Sequence, residues 1–204
     1  MNKILFTMGL LALTATSQAS NLELAKSIVK EKCHLCHGEE GEASSAIYPR
    51  LAGQNQIYLV KQLKNFRDGK RKSDTMNEMA AGLKDDAIEA LADYFSSKPA
   101  LSHRVRDKML ASVGEYIFRK GNKYSGIPAC KSCHGDNGEG NEQLPRLAGQ
   151  HKRYVSDQLQ AFGERARTND NAIMHTVASK LTEMEREAVA LYVSGLKPMD
   201  EETP

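Results

Sequence analysis

The apolar positions of this chain recur with helical spacing in several separate segments. In each segment, apolar side chains lie three or four residues apart, with charged residues between them. The pattern predicts helices over residues 20–33, 57–67, 85–96, 105–120, 154–165 and 183–193. Thr182 and Glu185 form the pattern of a capping box before the last of these segments. We therefore predict an all-α fold.

The second half of the chain repeats the first. The segment P-R-L-A-G-Q at residues 49–54 recurs letter for letter at residues 145–150. Further matched pairs are Tyr58/Tyr154, Gln62/Gln158, Leu63/Leu159, Phe66/Phe162, Leu83/Leu181 and Tyr94/Tyr192. Such fidelity predicts one fold used twice. We predict small domains of about three main helices each at residues 20–98 and 99–204, with a linker over about 99–104.

The N-terminus has the pattern of a secretory signal peptide, residues 1–19. Lys3 supplies the positive start, an apolar run covers residues 4–13, and small residues precede a cut after Ala19. The run is much shorter than the roughly 20 residues that span a bilayer. The pattern predicts an exported, soluble protein, and an uncleaved membrane anchor is the alternative.

Charge is nearly balanced along the chain. Lys and Arg number 28 against 26 Asp and Glu, giving a net charge of +2. Neither half is strongly basic, which argues against nucleic acid as a partner. The basic run at residues 70–72 is interpreted as a solvated loop, with a docking patch as the alternative.

All four cysteines lie in two C-x-x-C-H motifs. Cys33, Cys36 and His37 form the first, and the second contains Cys130, Cys133 and His134. This motif is the attachment signature of c-type haem, in which two thiols form thioethers and the histidine ligates the iron. Zinc or two structural disulfides are the alternatives, but neither explains a histidine after each second cysteine. The motifs predict two covalent haems and a protein that carries electrons.

The repeat also indicates the second ligand of each iron. Met76 follows His37 by 39 residues, and Met174 follows His134 by 40. Met79 and His175 compete, but Val177 and Asn77 stand at their equivalent positions. His/Met ligation raises the reduction potential and leaves no position open for substrate, which suits electron transfer.

The residues around the motifs predict a supporting shell. An iron-ligating imidazole usually donates its other N–H to a carbonyl or carboxylate. The backbone carbonyls of Pro49 and Pro145, shortly after the two histidines, are candidates. Four side chains could either reach haem propionates or face solvent, namely Arg50, Gln54, Arg146 and Gln150.

With these features the chain resembles the dihaem cytochrome c4 family. The likeness covers nearly all of the chain after residue 19 and rests on both haem motifs, both P-R-L-A-G-Q segments, Met76 and Met174. It implies two class I cytochrome c domains joined by a short linker. It also implies a periplasmic carrier, soluble or peripherally membrane-associated, that passes electrons towards a haem-copper terminal oxidase. Lys84 departs from the family, which often has a serine helix cap there.

Three functions are compatible with these residues. The leading one is a free electron shuttle between redox proteins rather than an enzyme. The second is a dihaem subunit of a larger redox enzyme, such as a flavoprotein sulfide dehydrogenase, with the flavin on a partner because this chain has no G-x-G-x-x-G. The third is a dihaem peroxidase, which the two capped irons disfavour.

Overall fold

The structure is a computed structural model that describes residues 19–197. Helix α1 covers residues 19–28 and continues through a π-helical turn, Val29–Cys33, into α2. The first half contains α2 (His34–His37), α3 (Gln56–Arg67), α4 (Asp74–Ala80) and α5 (Asp85–Ser96). The second contains α6 (Lys108–Lys120), α7 (Lys131–His134), α8 (Lys152–Gly163), α9 (Ile173–Ala178) and α10 (Glu183–Ser194). Within residues 19–197 the extended pairing is one isolated bridge, Asn122 to Ile127.

The main predicted helices are confirmed, with small changes at their ends. The prediction was wrong for the start of α6, which begins three residues later because Asp107 caps it by accepting a bond from the Leu110 N–H at 2.9 Å. The predicted capping box of Thr182 and Glu185 is present at α10. Helices α4 and α9 escaped prediction because they are too short to show a period.

Each half has its own apolar core. In the first, α1, α3 and α5 pack around a cluster that includes Val29, Leu59 and Phe95. In the second, α6, α8 and α10 pack around a cluster that includes Phe118 and Val193. Leu83 and Leu181, matched in the repeat, pack against these two clusters. The fold is therefore a tandem pair of small all-α domains.

Helices α6 and α10 cross closely in the second domain. A Cβ atom added at Gly114 would overlap the carbonyl of Ala188 and would also lie 2.8 Å from Cβ of Tyr192. Glycine therefore lets the backbone of α6 approach the backbone of α10 here, although it is a weak helix former. This crossing holds together the two ends of the second domain.

The two domains enter their cysteine motifs differently. In the first, the helix runs without interruption through the π-helical turn to Cys33. In the second, α6 ends at Lys120, and a loop containing the Asn122–Ile127 bridge leads to Cys130. The extra loop of the second domain thus lies before its cysteine motif, in the region where the sequences of the two halves are least alike.

The two domains meet through their P-R-L-A-G-Q segments. The side-chain amide of Gln54 donates to the Arg146 carbonyl at 3.0 Å and accepts from the Arg146 N–H at 2.7 Å. Gln150 does the same with Arg50, at 2.9 and 2.8 Å. The interface is therefore pseudo-twofold. Each glutamine side-chain amide bonds to both main-chain groups of an arginine in the other domain, as a backbone amide could.

The connecting segment passes through this interface. Residues 99–107 carry no helix. Gly53 and Gly149 have positive φ angles of 65° and 72°, and a side chain on them would meet Ala100 and Leu101 respectively. Glycine in both repeats thus meets two demands, a left-handed backbone and a close approach of the linker.

A pair of histidines ties the linker to both domains. His151 Nε2 donates to the Ala43 carbonyl at 2.6 Å, so its Nδ1 must accept, and His103 Nε2 donates to it at 3.0 Å. Burial first, then the positive charges of Arg50 and of a protonated His151, lower the pKa of His103 from 6.5 to about 4. Burial also lowers the pKa of His151 below its ordinary value, so both rings are neutral at pH 7.

Two sequence predictions concern the chain's relation to the membrane. They are a signal peptide at residues 1–19 and, as the alternative, an uncleaved membrane anchor. Both fall outside the described residues except for Ala19. Within residues 19–197, no helix combines the length and apolar character needed to cross a bilayer.

We expect Gly114→Ala to lower the free energy of unfolding of the haem-loaded protein by about 3 kcal/mol, because the new methyl group overpacks the α6–α10 crossing. Gly82→Ala is the matched control, since open space surrounds that position. Denaturant unfolding followed by circular dichroism measures both. Equal stability of the two variants would contradict the close crossing.

We expect the thermal midpoint to fall as pH decreases from 6.5 to about 4. The folded-state pKa of His103 lies below its unfolded value, so the unfolded chain binds more protons in this window and stability is lost as pH falls. His103→Gln keeps an N–H donor without titrating, so its midpoint should depend less on pH. Ser102→Ala is the control, and identical pH profiles for all three proteins would refute the contribution.

Candidate haem sites

Each cysteine motif forms one short helical turn. In the first domain Cys33 precedes α2 and Cys36 lies within it, before His37. In the second, Cys130 precedes α7 and Cys133 lies within it, before His134. No disulfide joins any of the four cysteines, so each sulfur is available for a thioether. The structure thus brings two thiols and one imidazole together in each domain, as thioether attachment requires.

Both motif histidines are buried and oriented by a proline carbonyl. His37 Nδ1 donates to the Pro49 carbonyl at 2.9 Å, and His134 Nδ1 donates to the Pro145 carbonyl at 3.2 Å. The predicted support from these carbonyls is confirmed. With Nδ1 protonated, Nε2 carries the free lone pair that a metal needs.

Burial controls the protonation of these groups. Loss of hydration lowers the pKa of His37 and of His134, and the bonds to the proline carbonyls oppose this only in part. Before haem attachment, burial also raises the pKa of the Cys33 and Cys130 thiols to about 11. Neutral imidazoles are ready to ligate iron, and neutral thiols suit a buried apolar pocket.

The two predicted methionine ligands lie at equivalent places in the fold. Met76 lies in the first turn of α4, where its N–H donates to Ser73 Oγ at 3.3 Å. Met174 lies in the first turn of α9, where its N–H donates to Asp170 Oδ2 at 2.5 Å. Both side chains are half-buried. Helices α4 and α9 pack against α3 and α8, so both methionines are held by the helix that precedes them.

The residue after each methionine anchors that short helix. Asn77 Nδ2 donates to the Phe66 carbonyl at 2.5 Å, and His175 Nδ1 donates to the Phe162 carbonyl at 3.0 Å. His175 and Asn77 thus have the same role, since each side chain fixes its short helix to the end of the preceding one. Among the residues considered as second ligands, methionine is therefore the one found at equivalent positions of both domains.

A buried pair of arginines lies between the domains. Arg71 and Arg167 are each 8% exposed, and their guanidinium groups lie over the rings of Phe66 and Phe162. They donate to side-chain oxygens of Tyr58, Gln62, Tyr154 and Gln158, as well as Asn169. Within residues 19–197 neither guanidinium forms an ion pair with a carboxylate. Buried charge is costly without a counter-charge, so the cluster suits anionic groups of a bound cofactor.

This cluster corrects the interpretation of residues 70–72 as a solvated loop. Lys70 and Lys72 are exposed, but Arg71 turns inward across the interface. The sequence contained a signal that Arg71 has a role beyond a solvated loop. Arg71 and Arg167 have the same separation as Tyr58 and Tyr154, so they are equivalent positions of the repeat.

Other candidate residues also lie at the interface. Arg50 donates to the Gly149 carbonyl at 2.7 Å, and Arg146 Nε donates to the Gly53 carbonyl at 2.9 Å. Gln54 and Gln150 are buried against the opposite main chain. These four residues therefore join the domains, and solvent exposure was the wrong alternative for the glutamines.

The tandem arrangement matches known proteins. The cytochrome c family model matches residues 22–98 and again residues 114–197. Cytochrome c4 of Azotobacter vinelandii is 38% identical, over 96% of this chain and 100% of that protein. The chain belongs to the dihaem cytochrome c4 family. The resemblance inferred from the motifs is thereby confirmed.

Solved structures agree with this assignment. The reduced recombinant cytochrome c4 from Pseudomonas stutzeri superposes with a TM-score of 0.81 at 39% identity, covering 85% of this chain and 97% of that one. A protein of Thiomonas intermedia named thiosulfate dehydrogenase electron acceptor is 38% identical, over 79% of this chain and 77% of that protein.

Family membership settles the cofactor and the class of function. This cytochrome carries two covalently bound haem c groups, to which its two C-x-x-C-H motifs fit. It is a dihaem electron-transfer protein, an electron carrier rather than an enzyme. The zinc and disulfide alternatives are excluded because thioether attachment uses the same four thiols.

Proposed function

We propose that this cytochrome is a periplasmic shuttle that carries electrons towards a membrane haem-copper terminal oxidase. The supporting observation is the pairing of two equivalent haem sites across one hydrogen-bonded interface, in a chain that matches cytochrome c4 relatives over nearly its whole length. The signal-like N-terminus supports export. A carrier of this kind needs only peripheral contact with the membrane.

The axial ligands in this proposal are His37 with Met76 and His134 with Met174. Each imidazole is buried, neutral and oriented, and each methionine lies in the first turn of a short helix that its own domain holds in place. A histidine and a thioether leave no open coordination position, so the iron exchanges electrons with little rearrangement.

We propose the same domain limits as above, residues 20–98 and 99–204.

The arginine pair would receive haem propionates. Arg71 and Arg167 are buried, cationic and bonded to uncharged oxygens, so carboxylates would balance their charge. Haem supplies such carboxylates, and the pair lies between the two domains. Cofactor binding would therefore stabilise the interface as well as each domain.

We expect Met76→Leu and Met174→Leu each to remove about half of the sulfur–iron charge-transfer band of the oxidised protein and to lower the reduction potential of one haem. Absorbance spectroscopy and potentiometry measure these changes. Met79→Leu is the matched control, since it changes a neighbouring methionine on α4. A full loss of one haem's band in the control would move the assignment to Met79.

A second candidate function is electron acceptor or subunit of a sulfur-compound dehydrogenase. The observation that favours it is the similarity to the Thiomonas intermedia protein named thiosulfate dehydrogenase electron acceptor. In that case the physiological donor would be an enzyme that oxidises thiosulfate or a related compound. The haem sites would be the same, and only the partner would differ.

We expect the reduced protein to be oxidised rapidly by membranes that contain a haem-copper oxidase, with cyanide stopping the reaction. Stopped-flow absorbance of the haem measures the rate. The parallel experiment mixes the oxidised protein with thiosulfate and purified thiosulfate dehydrogenase. Fast reduction there, combined with no cyanide-sensitive oxidation by the membranes, would favour the second function.

A further inference from the structure

One peptide group links His37 to the opposite domain. Its carbonyl, from Pro49, accepts the hydrogen bond of His37 Nδ1 at 2.9 Å. Its N–H, from Arg50, donates to Gln150 Oε1 at 2.8 Å. The imidazole of the first domain is therefore connected through a single amide to a glutamine of the second domain.

The second domain has the reciprocal connection. The Pro145 carbonyl accepts from His134 Nδ1 at 3.2 Å, and the Arg146 N–H of the same peptide group donates to Gln54 Oε1 at 2.7 Å. The two connections cross. Each motif histidine is coupled to a glutamine that belongs to the other half of the chain.

Both glutamines are fixed in this orientation. Gln54 and Gln150 are 6% and 7% exposed, so little water competes for their amides. Each Nε2 donates to the carbonyl of the paired arginine. Each Oε1 also accepts from the N–H of the next residue, Asn55 or His151. With Nε2 on a carbonyl and Oε1 on two N–H groups, only one orientation of each amide is satisfied.

The chain of bonds has an electronic consequence. An amide whose N–H donates a hydrogen bond carries more negative charge on its oxygen, so hydrogen bonds in such a chain strengthen one another. A stronger acceptor at Pro49 or Pro145 draws the Nδ1 proton away from the imidazole. The imidazole then becomes a stronger donor at Nε2 and favours ferric over ferrous iron.

We propose that Gln150 and Gln54 are positioning residues that tune the reduction potential of the haem in the opposite domain. Gln150 lowers the potential of the haem attached at Cys33 and Cys36, and Gln54 lowers that of the haem attached at Cys130 and Cys133. This inference rests on the proposed axial roles of His37 and His134. It makes the interface a part of both iron sites.

The test compares Gln150→Leu with Gln54→Leu in the full-length, haem-loaded protein. Leucine keeps the volume of the side chain but cannot accept from the arginine N–H. At a fixed applied potential, we expect Gln150→Leu to raise the ratio of reduced to oxidised haem about two- to tenfold in the first domain only. Gln54→Leu should do the same in the second domain only.

Proton NMR supplies a readout that a loss of packing would not reproduce. In the reduced protein, the Nδ1–H resonance of His37 should shift in Gln150→Leu, and that of His134 should shift in Gln54→Leu. Haem-methyl signals assigned through contacts with these histidines identify which haem changes. Asn55→Leu is the control, since Asn55 also crosses the interface, to the Glu139, Asn141 and Leu144 carbonyls, without touching either connecting peptide group.

Three results would overturn the proposal: no shift in either haem, a shift confined to the glutamine's own domain, or equal shifts of both haems in all three variants. The last result would mean that a loosened interface alone is responsible. The axial assignment is tested separately by His37→Ala and His134→Ala, each of which should abolish the low-spin spectrum of one haem. Retention of that spectrum would refute the proposed ligands whatever the glutamine variants show.

Discussion

The hydrogen bond from each motif histidine to a proline carbonyl is the interaction on which both sites depend. It selects the tautomer that leaves Nε2 free, and it holds each ring against the loop that follows its short helix. That loop also carries the arginine and glutamine through which the domains meet. The geometry of ligation and the geometry of domain association are thus built on the same peptide groups.

Charge burial gives the interface its second constraint. Arg71 and Arg167 are placed between domains and bonded to amide and phenol oxygens rather than to carboxylates. Such an arrangement is expensive for a polypeptide alone, because neutral acceptors compensate only part of the lost hydration. In the proposed arrangement, the two propionates of each haem would balance these charges, and the assembly of the two halves would then depend on both haems.

The internal repeat is faithful after the cysteine motifs and divergent before them. The pairing of glutamine amides with the opposite main chain requires both P-R-L-A-G-Q segments to have the same shape, so change there would affect both domains. The approach to Cys33 and the approach to Cys130 face no such demand. The first is a continuous helix and the second is a loop. In the second domain, α6 packs tightly against α10 at Gly114.

The amino-acid pattern was enough to predict the six longer helices, the duplication, the four attachment cysteines and the carbonyls that support both histidines, but not the short helices α4 and α9. Each of these depends on residues close in sequence or on a spacing repeated twice. The partners of Arg71, Gln54 and Gln150 became visible only once the two domains were placed together. Their bonds across the interface join groups 83 to 100 residues apart. Nothing in the neighbouring sequence distinguishes an arginine or glutamine that faces water from one that a second domain covers.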